Sequence, residues 1–256
     1  MEPLLPGEHR LAPLLEQAHD LIRQSDRLTG LCPPGAHAGL RHLLRAMNSY
    51  DSNRIERQHT PPLEIEQALR NDCAKDADKA RRQRLALAHM ATEQRLEELW
   101  PQWDSQRVWS PQTVRDIHQD LFARLPETDR TLPSTDPKGV PEALEPGTLR
   151  DKEGSVGRHS APSAEQLPRF LKRWAHLYGG VRRGEKQVVT MAAAHHRLAR
   201  IHPFRDGNGR VARLTRCRGR AACRCTRWTR QPDRAWAGTL DRLRAGNLQG
   251  PGDLHV

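Results

Sequence analysis

Several absences narrow the class of this 256-residue chain at once. No apolar run approaches the roughly 18 to 20 residues of a membrane span. The first ten residues, MEPLLPGEHR, lack the basic stretch followed by an apolar one that marks a secretory leader. Cysteine is sparse and odd in number, five in all, which without such a leader points to reduced thiols rather than a disulfide framework. There is no internal repeat and no low-complexity tract. These absences predict a soluble, cytoplasmic protein with no membrane partner. The 36% hydrophobic content together with 18 Gly is ordinary for a globular chain, so disorder throughout is excluded. The length suits one large domain or two small ones.

Lysine and glutamate are both missing from residues 214–256, where nine Arg face three Asp. That net of +6 is more than half of the chain's +11, so the basicity belongs to the tail rather than to the body. A nucleic-acid partner is therefore not expected; a binder using the tail would bind with strong salt dependence that vanishes when residues 214–256 are removed. Cys217, Cys223 and Cys225 lie in the same tail, with Cys32 and Cys73 isolated upstream. Their C-x5-C-x-C spacing matches no standard zinc site.

What is present reads as helix and turn. Leu14, Leu15, Ala18, Leu21, Ile22 and Leu28 recur at helical steps before Pro33, Pro34 and Gly35 interrupt them. A second helical stretch carries Leu40, Leu43, Leu44 and Met47, and Pro61 and Pro62 precede a third, LEIEQAL. An amphipathic run from Leu85 to Trp100 stops at Pro101. Ser110 is a natural N-cap with Pro111 at the first helical position of PQTVRDIHQDLFARL, whose Val114, Ile117, Leu121 and Leu125 share a face. Trp100, Trp103 and Trp109 flank the Pro turn and are expected to pack the junction between the N-terminal helices and the core. Residues 125–168 hold seven Pro and four Gly and cannot form a long regular element. Within them TLRDKEGSVGRH predicts a short hairpin turning near Glu153 and Gly154. Helix returns in RFLKRWAHLY and in QVVTMAAAHHRLARI.

The segment HPFRDGNGRVAR, His202 to Arg213, follows directly. Its chemistry is that of an anion site: Gly207 and Gly209 let backbone N–H groups turn inward where a new helix begins. Arg210 and Arg213, three apart, offer forked donors to successive phosphates. Asp206 is a hard oxygen ligand suited to Mg2+ carried by phosphates. His202 titrates near neutrality and stands at the mouth, placed to take a proton from an incoming hydroxyl. Phe204 reads as an anchor for the loop. His195 and His196, one turn earlier, have no third ligand at suitable spacing and read as one packed and one exposed helix residue.

This segment resembles the signature of the Fic (Fido) proteins, H-x-F-x-[D/E]-G-N-G-R-x-x-R, at all eight named positions: His202, Phe204, Asp206, Gly207, Asn208, Gly209, Arg210 and Arg213. The resemblance implies an all-α fold with a small β-hairpin flap and N-terminal helices. It implies transfer of AMP from ATP to a Ser, Thr or Tyr hydroxyl of a target protein, with pyrophosphate leaving. His202 would be the general base; Asp206 would hold Mg2+; Gly207, Asn208 and Gly209 would form the anion hole; Arg210 would support the phosphates; Arg213 would hold the γ-phosphate; Phe204 completes the nucleotide-binding segment. GTLRDKEGSVGRH falls where the family places the flap that registers a target's backbone by strand addition.

The resemblance extends upstream. One class of the family carries an inhibitory helix with the pattern [S/T]-x-x-x-E-[G/N], and SNRIER places Ser52 four residues before Glu56, in a helix expected near residues 48–57. The family's glutamate pairs with the second motif arginine, Arg213 here, and blocks the seat of the γ-phosphate. Arg57 stands where the pattern has Gly or Asn. The expected organisation is an N-terminal helical region to residue 100, a catalytic core over 101–213, and an atypical Arg- and Cys-rich tail. In that tail a helical face of Leu214, Cys217, Ala221, Cys225 and Trp228 can be drawn, weakened by Gly219. The abrupt change of composition is what a reading-frame shift in GC-rich coding DNA would give, with the native C-terminal part replaced after about Arg213 or Leu214. The alternatives to an adenylyltransferase are an inactive remnant, or the same fold moving another phosphate-containing group. The oligomeric state and the target are left open.

Overall fold

The computed structural model describes residues 5–132, 140–156, 159–180 and 184–216. Nine α-helices lie among the described residues: α1 (Glu8–Leu31), α2 (His37–Ile55), α3 (Pro62–Leu69), α4 (Ala77–Leu99), α5 (Ser105–Val108), α6 (Pro111–Ala123), α7 (Leu167–Tyr178), α8 (Gly184–Ile201) and α9 (Asn208–Arg216). Two antiparallel pairings of two residues per strand join them: β1 (Thr131–Leu132) with β2 (Glu142–Ala143), and β3 (Ser155–Val156) with β4 (His159–Ser160). The expected all-α class with small β elements is the one observed.

Local chemistry explains most boundaries. Asp76 caps α4 by accepting from the Lys79 N–H at 2.8 Å, and Ser110 caps α6 by accepting from the Thr113 N–H at 3.0 Å. Pro111 occupies the first turn of α6, where its missing donor costs nothing. In α6, Val114, Ile117 and Leu121 are fully buried as their spacing requires. They meet Leu171 and Trp174 of α7, Leu198 and Ile201 of α8, and Val211 and Leu214 of α9 in one core. Trp100 is buried in this core, and Trp103 and Trp109 pack on its edge, with the Trp109 and Trp174 rings 5.4 Å apart. A smaller cluster of Ile65, Ala86 and Met90 joins α3 to α4.

One expectation needs correction. The hairpin does not turn at Glu153 and Gly154: Ser155 pairs with Ser160 and Val156 with His159, so both paired arms lie beyond those two residues. Gly154 instead lies before β3, where its carbonyl accepts from the Ala161 N–H at 3.0 Å and closes the hairpin's root. The expected second helix forms as α2, and its apolar stripe does not face the core. Leu40, Leu43, Leu44 and Met47 are exposed, and the buried face is Arg45, Ser49, Ser52 and Asn53. The reason is polar pairing with α4: the Ser49 hydroxyl donates to the Ala86 carbonyl at 2.8 Å, Asn48 donates to Glu93 at 2.7 Å and Arg45 to Glu97 at 2.5 Å. In α1 only Ala18 is buried, and Leu21 and Leu28 remain exposed. Of the tail, residues 214–216 complete α9 with Leu214 in the core, and the proposed continuation through Cys217, Ala221, Cys225 and Trp228 and the tail's cysteines lie outside the described residues.

The end of α2 is built on an arginine where glycine is favoured. Arg57 has φ +60, its N–H donates to the Arg54 carbonyl at 3.0 Å, and the Gln58 N–H donates to the Asn53 carbonyl at 2.8 Å. This is a Schellman termination with a non-glycine residue in the left-handed position. The side chain raises the energy of that conformation, so Arg57→Gly should stabilise the fold by about 0.5–1 kcal/mol. Urea unfolding of the two proteins checks this, and a less stable glycine variant would contradict it.

Candidate functional site

The motif loop is set by two reversals. His202, with φ +51, ends α8 while its N–H still donates to the Leu198 carbonyl at 3.2 Å, and Gly207, with φ +77, starts the turn into α9. Between them the Asn208 side chain brackets the loop: its Oδ1 accepts from the Phe204 N–H at 2.8 Å and its Nδ2 donates to the Phe204 carbonyl at 2.7 Å. Asn208 therefore spends its amide on shape, and its contribution to an anion hole is its backbone N–H. Phe204 is fully buried, so its ring is the anchor its place in the loop suggested. The ring stacks on His118 of α6 at 3.9 Å, and His118 also lies 4.6 Å from the Phe122 ring.

His118 was not singled out from the sequence, and it ties three segments together. Its Nδ1 accepts from the Gly147 N–H at 2.8 Å, which leaves Nε2 to donate to the Asp206 carbonyl at 3.3 Å. Burial pushes its pKa down to about 4, so the neutral ring is the form that fits. The only available hint was its position beside the apolar face of α6. His89 on α4 is also buried, with both ring nitrogens lacking a partner among the described residues, and burial followed by the charges of Arg210 and Arg213 lowers it to about 3. Both histidines bind fewer protons in the folded than in the unfolded chain between their own pKa and the ordinary 6.5. Their stabilisation is thus complete above about pH 6.5 and is lost as pH falls towards 4. For His118 alone the loss is about 3 kcal/mol by pH 4. Thermal unfolding between pH 7 and 4.5 should show a falling midpoint, and in His118→Gln that slope should be shallower.

The charged residues of the loop do not act as one set. Arg210 is buried and donates to Asp206 at 2.9 Å, with its guanidinium 5.3 Å above the Phe122 ring. Burial raises the Asp206 carboxyl, but the Arg210 charge and the Gly207 N–H outweigh it and hold the pKa below its ordinary value. Arg213 points to α2: Nε donates to the Ser52 hydroxyl at 2.9 Å, and Nη2 donates to the Ser52 carbonyl at 3.0 Å and to Glu56 Oε1 at 2.6 Å. The structure therefore brings Ser52, Glu56 and Arg213 together, across more than 150 positions of sequence. Glu56 is the C-cap of α2 rather than a member of it. Its carboxylate lies over Gly209: a Cβ there would come within 3.0 Å of Glu56 Cδ and closer still to Oε1. That is the first turn of α9, where unpaired N–H groups and the helix dipole attract an anion. Glu56 occupies an anion seat.

His202 is partly buried. Burial lowers its pKa, a bond to the Ala199 carbonyl opposes this, and the Arg150 charge adds to the lowering, so the imidazole is neutral at physiological pH. On the loop's other flank Arg205 and Lys152 both bind Glu142 of β2 at 2.6 Å. Asp206 is the one carboxylate of the loop and its side chain is 43% exposed. One carboxylate beside a phosphate seat fits Mg2+, which keeps waters and takes its other ligands from the nucleotide, rather than a metal held by protein alone. Among the described residues there is no cluster of three or more His, Cys, Asp or Glu suited to holding a metal. His195 bonds the Ala212 carbonyl at 3.0 Å and His196 is exposed, as their spacing suggested.

Residues 108–216 match the model of the Fic/DOC family. They form a Fic domain. Curated relatives are the protein adenylyltransferases Fic of Drosophila grimshawi and Drosophila mojavensis, each 36% identical over 77 residues. Those matches cover 30% of this chain, but only 16% and 15% of the relatives' length. Solved structures agree on the fold. A Fic family protein from Desulfovibrio desulfuricans superposes over 85% of this chain and 59% of its own with a TM-score of 0.59 at 18% identity. A Fic domain signalling protein from Bacteroides thetaiotaomicron gives 79%, 70% and 0.56 at 18% identity. The Fic domain here thus supplies α6 to α9, and α1 to α4 pack beside it, delivering Glu56. No helix among the described residues is long and apolar enough to cross a membrane.

Proposed function

We propose that the protein is an adenylyltransferase that moves AMP from ATP to a Ser, Thr or Tyr hydroxyl of a target protein, and that Glu56 holds it inhibited. The observation that carries this reading is the neutral, partly buried His202 beside a glycine turn that opens a helix N-terminus, with a carboxylate already seated on that N-terminus. His202 accepts the proton of the target hydroxyl as its oxygen bonds the α-phosphorus; the bond from that phosphorus to the bridging α–β oxygen breaks, and pyrophosphate leaves. The backbone N–H groups of Gly207, Asn208 and Gly209 stabilise the added charge on the α-phosphate. Asp206 would hold Mg2+, which neutralises phosphate charge when bound. Arg210 keeps Asp206 ionised and aimed, and Arg213 takes the γ-phosphate once Glu56 has left it. The β3–β4 hairpin would offer backbone groups along its edge to an extended target segment.

The test is incubation with α-labelled ATP and Mg2+, following label on the protein itself. Label on Glu56→Gly that disappears in the double variant Glu56→Gly/His202→Ala supports the reading. No label on any folded variant overturns it and points to another phosphate-containing donor or to an inactive remnant. Competition by other nucleotides, followed by protection against thermal unfolding, identifies the donor.

A further inference from the structure

Arg150 is buried to 4% exposure, yet among the described residues its guanidinium forms no ion pair; its donors go to main-chain carbonyls. Nε donates to the His202 carbonyl at 2.8 Å and Nη1 to the Lys152 carbonyl at 2.7 Å, and Nη2 donates to the Pro162 carbonyl. Its own N–H donates to the Pro203 carbonyl at 2.9 Å. Lys152 and Pro162 are the roots of the two arms of the β3–β4 hairpin, and His202 is the residue in the left-handed conformation that ends α8. One planar fork thus staples both arms of the hairpin to the carbonyl of the histidine. Gly154 completes the arrangement: a Cβ there would lie 2.9 Å from Nε and 3.2 Å from Cζ, so only glycine lets the hairpin's root lie on the guanidinium.

We propose that Arg150 is the positioning residue for His202, fixing the base's backbone turn and coupling its placement to the β3–β4 hairpin. This rests on the reading of His202 as the base. A flexible turn at a left-handed non-glycine residue persists only when surrounding bonds over-determine it, and here the determining bond to the carbonyl comes from Arg150. The guanidinium reaches three carbonyls from three separate nitrogens of one rigid plane, whereas the donors of an ammonium all leave a single nitrogen. The same charge contributes to keeping the imidazole unprotonated. A target strand that engages the hairpin would, through Arg150, bear on the histidine that deprotonates it.

The test uses Arg150→Met, Arg150→Lys and Gly154→Ala in the Glu56→Gly background, with two readouts. In histidine-labelled NMR titrations, with the His202 signal assigned by His202→Ala, the His202 pKa should rise in Arg150→Met. At saturating ATP the transfer rate should fall at least tenfold in Arg150→Met, with ATP affinity within about twofold, and Arg150→Lys should restore little of it. Gly154→Ala, which keeps the arginine, should lower the rate in the same way. An unmoved His202 titration with an unchanged rate overturns the proposal, as does a fall in rate matched by an equal fall in ATP affinity. If no variant transfers label but the titration still shifts, the coupling stands and the reading of the base falls.

Discussion

Replacing Glu56 by glycine should raise the affinity for Mg-ATP about tenfold to a hundredfold, and raise labelling by ATP with it. The carboxylate takes the Arg213 Nη2 donor at 2.6 Å and lies on the N-terminal turn of α9 above Gly209, the donor and the space that the proposed function assigns to a terminal phosphate. Charge-assisted bonds of this kind contribute about 1.5–3 kcal/mol, and a nucleotide must displace this one before it binds. At about 1.4 kcal/mol per decade that displacement accounts for the predicted range. Removing the side chain leaves the termination of α2 intact, because Glu56 has φ −85 and ψ 15 and the bonds that end the helix come from Arg57 and Gln58. Calorimetric titration measures the affinity. Glu56→Gln keeps the shape, loses the charge and should lie between wild type and glycine. Equal affinities in all three folded proteins would show that the seat of Glu56 is not the nucleotide's.

Gly207→Ala should cost about 2–4 kcal/mol of stability and lower the melting temperature by roughly 5–15 °C. Two penalties combine. The residue has φ +77, which a Cβ disfavours, and the added methyl would come within 2.8 Å of Phe122 Cζ and closer to Cε2. The Phe122 ring cannot retreat, since it is buried with His118 tilted against it at 4.6 Å and the Arg210 guanidinium above it at 5.3 Å. The damage therefore spreads to the groups that hold Asp206 and Phe204. Gly39→Ala is the control: it lies in α2 with nothing within 4 Å of an added Cβ and should be neutral or stabilising. A Gly207→Ala protein that melts with wild type would mean the turn is looser than its packing.

The helical plan was legible wherever a terminus has its own chemistry. Ser110 and Pro111 announce α6, Pro61 and Pro62 announce α3, and the apolar face of α6 is buried as its spacing requires. Spacing identified α2 as a helix but not its buried face: the regular Leu40, Leu43, Leu44 and Met47 stripe faces outward, because periodicity does not say which face finds a partner. The hairpin's turn was misplaced because Gly154, which permits a reversal, lies instead against the Arg150 guanidinium at the root of the hairpin, a contact set by tertiary packing. The motif loop was the most legible feature, since glycines at 207 and 209, a proton acceptor and paired arginines declare an anion site within twelve consecutive residues. His118 and Arg150 were not legible, as each acts on main-chain atoms supplied by distant segments.

The sequence by itself determined the chemistry available: the histidine, the carboxylate, the glycine turn and the arginines are adjacent along the chain, at the start of a helix beginning at Asn208. Only the tertiary structure decided their state. Arg210 turns inward to Asp206, Arg213 turns to Ser52 and Glu56, and the His202 carbonyl is held by Arg150, because each guanidinium is drawn to whichever oxygens the packing of α2, α6 and the hairpin brings within reach. Short-range order follows from local backbone rules, whereas the partner of a long charged side chain is set by which remote atoms share its surroundings once water has been excluded.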